Sequence, residues 1–120
     1  MEYTVNSIDI TKQIGTQYFK STAKDTYMII NITITNRRNN LLSVNDSYFR
    51  LQLGEKTYLS SKSTLLEDNI IIKGINPDVT FTGNIIFDIT EATATNPSLQ
   101  LQIQTDYLGR EKETINLYKD

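Results

Sequence analysis

Between residues 79 and 89 the chain alternates strictly. Val79, Phe81, Gly83, Ile85, Phe87 and Ile89 fall on one parity, and Thr80, Thr82, Asn84, Ile86 and Asp88 on the other. Successive side chains of a strand point to opposite faces, so the pattern predicts a long strand with one dry face and one wet face. Asn76-Pro77-Asp78 ahead of it is turn chemistry. Gly83 offers no side chain to pack, which predicts a bulge, a bend or close approach of another backbone. A second organising strand spans residues 26–36, where Met28, Ile30, Ile32 and Ile34 make a continuous apolar face. Tyr27 and Ile29 add apolar groups to its other face before Asn31, Thr33 and Thr35 take over, so this strand is central at its start and half-solvated at its end.

The remaining segments repeat the theme in shorter pieces. Residues 3–14 form a strand with a phase break, since Tyr3 and Val5 differ in parity from Ile8, Ile10 and Ile14. A bulge near Asn6-Ser7 would bring both groups to the core side. Residues 15–25 read as a polar loop holding Tyr18 and Phe19, and residues 36–40 as a polar turn. Residues 48–53 alternate and join residues 57–60 in a hairpin through Gly54-Glu55-Lys56. Residues 61–69 are irregular, with room for one helical turn, and Ile70-Ile71-Ile72 is a short buried run. Residues 90–97 read as a loop. Leu99, Leu101 and Ile103 alternate with Gln100, Gln102 and Gln104, and after a turn at Gly109 the chain closes with Ile115 and Leu117. No segment keeps a helical apolar period. Seven to eight short antiparallel strands predict an all-β sandwich over residues 1–120, one domain, with Ile30, Ile32, Ile34, Phe81, Ile85, Phe87, Leu99, Leu101 and Ile103 in one core.

Composition narrows the chemistry. A chain of 120 residues can bury roughly two-thirds of its unfolded surface, enough for a core without staples. It has no cysteine, so disulfides and thiolate metal sites are excluded, and no histidine, so the commonest general base is missing. Net charge is −2 with no basic cluster, which argues against nucleic acid. No segment approaches the roughly 18 apolar residues of a membrane span. The N-terminal MEYTVNSIDI lacks the basic and apolar halves of a signal peptide. The chain is therefore either cytoplasmic or a mature domain whose export segment lies upstream.

The order of these features resembles domain-of-unknown-function family 4352, Ig-like β-sandwich domains of secreted proteins and lipoproteins of mainly Gram-positive bacteria. Three stretches carry the likeness: YMIINITITNRRNN at 27–40, DSYFRLQLGEKTY at 46–58 and NPDVTFTGNIIFDI at 76–89. Asp78 after Pro77 departs from the Pro-Gly of many members. The resemblance brings no catalytic residues and no cofactor. It implies export, with a signal peptide and a lipid anchor as expected upstream features, and so favours an extracellular or cell-surface location over the cytoplasm.

Candidate sites are sparse. A carboxylate pair for sugar hydrolysis would draw on Asp46, Glu67, Asp68, Asp78, Asp88 or Asp106, needing two carboxyls about 5–10 Å apart; solvated turn residues are the plainer reading. Asn45-Asp46-Ser47 and Glu67-Asp68-Asn69 are formal calcium loops without EF-hand spacing, so no metal is expected. Arg37 and Arg38 could grip an anion, although paired turn arginines commonly serve solubility. Tyr18 and Phe19 could anchor a partner, as could Tyr107 and Tyr118, against the alternative that such rings pack. The sequons at Asn31 and Asn45 carry little weight inside a strand or in most bacteria. The reading that follows is a non-catalytic extracellular interaction module for a protein or glycan of the cell envelope, with Tyr18, Phe19, Arg37 and Arg38 as contact residues. A carboxylate-dependent glycan hydrolase and a structural spacer are the alternatives.

Overall fold

The computed structural model describes residues 2–15, 20–61, 72–104 and 112–118, with the backbone alone at 20, 21, 45, 46, 72 and 73. Among them are nine strands: β1 (Glu2–Gly15), β2 (Lys20–Thr35), β3 (Leu42–Asn45), β4 (Phe49–Leu53), β5 (Lys56–Leu59), β6 (Ile72–Ile75), β7 (Thr80–Ile89), β8 (Gln100–Gln104) and β9 (Lys112–Asn116). All pair antiparallel, in the orders β1-β2-β7, β5-β4-β8-β9 and the two-stranded β3-β6.

The two larger sheets close on one core, as the alternation predicts. Met28, Ile30, Ile32 and Ile34 of β2 stand opposite Phe87, Ile85, Gly83 and Phe81 of β7. They share the core with Phe49, Leu51, Leu99, Leu101 and Ile103 from the other layer, and with Leu42, Val44 and Ile75 from β3 and β6. Burying each such aliphatic side chain stabilises by about 1.5–3 kcal/mol. Tyr3, Val5 and Ile8 pack at the margin of this core. They reach it together because the β1–β2 register shifts between Val5 and Ser7, at the predicted phase break. One extra residue there reverses the parity of everything beyond it.

Five expectations are corrected. Residues 20–25, read as the end of a polar loop, extend β2, and Lys20, Ser21 and Thr22 pair with the end of β1. Ile10 is exposed, and Ile14 joins a separate small cluster with Tyr27 and Ile86, flanked by Ala23 and Ile29. A second register shift, between Thr11 and Gln13, takes the end of the hairpin off the core-facing phase. Of the readings offered for Gly83, the bulge is excluded, since the β2–β7 ladder runs through it in unbroken register. Residues 90–97 are not only loop. Thr90 caps a single helical turn, α1 (Glu91–Ala94), by accepting from the Thr93 amide, and Ala94 is buried in the core. Finally, β3 is a strand that the pattern does not announce. The helical turn expected within residues 61–69, the first two isoleucines of the 70–72 run and the turn at Gly109 lie outside the described residues.

Candidate functional site

The two layers treat their solvent faces differently. On the first sheet the outward residues bond to one another across the strands. Asn6 Nδ2 donates to Asn31 Oδ1 at 2.9 Å, and Asn31 Nδ2 donates to Asn84 Oδ1 at 2.9 Å. Thr33 and Thr82 share a hydroxyl bond at 2.8 Å, and Thr35 and Thr80 another at 2.9 Å. Cross-strand pairs of this kind stabilise the sheet, and they also use up its polar groups.

The second sheet is more open. With Phe49, Leu51, Leu101 and Ile103 buried, the outward positions are Arg50 and Gln52 on β4, Gln100, Gln102 and Gln104 on β8, Thr57 and Leu59 on β5, and Lys112, Thr114 and Asn116 on β9. None of these positions carries a carboxylate, in a chain whose net charge is −2. One cross-strand row is internally bonded: Thr57 Oγ1 donates to Gln52 Oε1 at 3.2 Å, and Gln100 Nε2 to Asn116 Oδ1 at 2.8 Å. The adjacent row is Leu59, Arg50, Gln102 and Thr114. Among the described residues, no side-chain hydrogen bond or ion pair engages its three polar members. Arg50 Nε is buried without a partner, and Leu59 beside it is 68% exposed. Nε itself is sealed from solvent, so a ligand would meet this guanidinium at its terminal nitrogens.

The residues singled out from the sequence sit elsewhere. Arg37 and Arg38 occupy the turn after β2, at one end of the sandwich, where Arg37 Nη2 meets Glu2 Oε2 at 3.2 Å in solvent. Such a pair contributes about 0–1 kcal/mol. Tyr18 and Phe19 lie outside the described residues, as do Glu67, Asp68, Asp106 and Tyr107; so does the side chain of Asp46. Tyr118 donates its hydroxyl to the Ala94 carbonyl at 2.6 Å, which ties the chain's end to α1, and burial raises its pKa above the ordinary tyrosine value. Of the six candidate carboxylates, the structure describes the side chains of Asp78 and Asp88. Asp78 sits exposed in a turn at φ 64°, and Asp88 accepts the Lys24 and Asp25 amides at 2.8 and 2.9 Å. They flank opposite ends of the ten-residue β7, about 30 Å apart, and form no acid–base pair. Among the described residues no cluster of three or more acidic groups gathers to hold a metal, and no helix is long and apolar enough to cross a membrane.

Sequence reasoning missed two residues. Asn36 is fully buried: its amide donates to the carbonyls of Asn40 and Ile75, and its Oδ1 accepts from the Arg38 amide. Arg50 reads from the pattern as an ordinary outward residue, and only strand order reveals its neighbours.

Residues 1–114 match the family described as domain of unknown function (DUF4352). The chain belongs to this family. Solved structures similar to this DUF4352 domain include the yjhA protein of Bacillus subtilis, at 17% identity and a TM-score of 0.70, covering 96% of this chain and 89% of that one. The domain is also similar to ycdA, a candidate lipoprotein of Bacillus subtilis, at 18% identity and a TM-score of 0.68. That match covers 95% of this chain and 35% of ycdA. The secreted protein MPT63 of Mycobacterium tuberculosis aligns at 18% identity with a TM-score of 0.59, over 92% of this chain and 76% of its own. At these identities the likeness establishes the fold. Among curated proteins no match was found.

Proposed function

We propose that this DUF4352 domain is a non-catalytic recognition module that works outside the cytoplasm and binds through the open face of the β5-β4-β8-β9 sheet. The observation that carries the reading is the contrast between the two solvent faces. The Asn/Thr ladder of the first sheet satisfies itself, whereas the row through Arg50 leaves a guanidinium, an amide and a hydroxyl without partners among the described residues, beside an exposed leucine. Arginine is over-represented at the centre of binding sites. The missing histidine and cysteine, and the structural employment of Asp88, support a role without catalysis. An extracellular setting draws support from the family match and from the likeness to a secreted protein and a candidate lipoprotein; a lipid anchor joined upstream fits the same reading.

Cosedimentation with a cell-envelope fraction of Bacillus subtilis tests it. Wild-type protein is expected in the pellet. Arg50→Glu should remain in solution at unchanged melting temperature, while Arg37→Glu should pellet like wild type. A spacer domain would behave identically in all three forms, and that result would refute the proposal.

A further inference from the structure

Resting on that reading of the open face, we infer that its ligand is a carboxylate-bearing glycan, with Arg50 pairing the carboxylate while Gln102, Thr114 and the flanking amides take sugar hydroxyls. Three features of the face point this way.

The first is charge. Arg50 and Lys112 are the only ionised residues among the ten outward positions, so the face is cationic on a chain that is acidic as a whole. A planar guanidinium with free donors matches a planar carboxylate through two parallel hydrogen bonds. Among the described residues no side chain pairs this guanidinium; Nε is sealed inside, so the carboxylate would meet the terminal nitrogens Nη1 and Nη2.

The second is the chemistry around the arginine. Four glutamines, an asparagine and two threonines surround it. Amides and hydroxyls both donate and accept, as do the hydroxyls of a sugar. Protein-binding patches are instead enriched in aromatic and large apolar anchors, and here Leu59 stands alone. An acidic peptide would therefore find the charge but little of the apolar contact it needs.

The third is geometry. The side chains project from four adjacent strands about 4.8 Å apart, with same-face neighbours along a strand about 6.8 Å apart. This makes a regular grid, with the ordinary twist of a sheet, on which an extended polymer can lie, with Arg50 and Gln102 on the two central strands.

Isothermal titration with oligogalacturonate, a neutral cello-oligosaccharide and poly-glutamate, on the whole chain, separates the possibilities. Oligogalacturonate should bind, more weakly as salt is raised, and backbone amide shifts should map to β4 and β8. Arg50→Gln should weaken binding at least about tenfold without changing the melting temperature, and Arg50→Lys should recover part of the loss. Equal affinity for the neutral oligosaccharide, indifference to Arg50→Gln, or no binding of oligogalacturonate would each overturn the assignment. Tighter, Arg50-dependent binding of poly-glutamate would also overturn it, yet would leave the face standing as a binding surface. If no anionic probe binds and Arg50→Glu still pellets with the envelope fraction, the broader reading fails as well.

Discussion

The side-chain amide of Asn36 donates to the carbonyl of Ile75 at 2.8 Å, joining residues 39 positions apart in the chain. The same residue holds Asn40 and Arg38 through its side chain, and its backbone exchanges bonds with Asp78 and Val79. One buried asparagine thus fastens the turn after β2 to β6 and to the turn before β7. Leu41 and Val79, both exposed, lie in the segments it joins.

Replacing Asn36 with Ala strands two carbonyls and one amide. Equilibrium urea denaturation should show a loss of about 2–4 kcal/mol. A loss below about 0.5 kcal/mol would mean that water or neighbouring groups replace every bond.

Phe87 is fully buried opposite Met28. Phe87→Ala should cost about 3–5 kcal/mol, a large part of a typical domain's stability. The same denaturation experiment measures it, and a cost under about 1 kcal/mol would contradict the core described here.

Asp88 acts locally. Its carboxylate receives the Lys24 and Asp25 amides where β2 turns from its β1-only half into its shared half. Asp88→Asn leaves one acceptor oxygen of the two. Hydrogen exchange should then quicken at Lys24 and Asp25 by about tenfold, while amides of Ile30 and Ile85 keep their protection.

Stability should be nearly level from about pH 5 to 8, since no histidine is present to titrate there. Tyr118 titrates outside that window. Burial raises the Tyr118 pKa, so the folded state holds that proton more tightly than the unfolded chain. The resulting stability is present in full below the unfolded tyrosine value, near 10, and is lost as pH climbs through the folded value. Absorbance of tyrosinate should show a late-titrating component that Tyr118→Phe removes.

The strands with strict alternation, β7 and β8, were legible in the sequence because each shows its wet and dry sides several times over. The bulge in β1 was legible for the same reason, since a parity break in an apolar series has few other causes. Four residues of β3 offer just two inward positions, Leu42 and Val44, too few to set a period. Asn36 follows an apolar strand and looks like the start of a turn; nothing local signals that the Ile75 carbonyl arrives to meet it. Arg50 was visible as an outward residue. That its neighbours across the sheet are Leu59 and Gln102, with no carboxylate to pair it, depends on strand order, which alternation does not encode. Arg37 and Arg38 stood out as a doublet, whereas the structure gives Arg37 a partner in Glu2.

Among the described residues β1 borders its sheet, pairing with β2 alone. A bare edge of fourteen residues is a template on which further copies can stack into aggregates. The two register shifts divide it, leaving Ser7 to Thr11 as the short regular run between them. Asn6, the extra residue at the first shift, also anchors itself to Asn31 and Thr33. Deleting it would turn Tyr3 and Val5 toward water and straighten the border in one step. The irregularity in β1 therefore doubles as a safeguard of solubility, and a domain lacking Asn6 should precipitate at concentrations the intact chain tolerates.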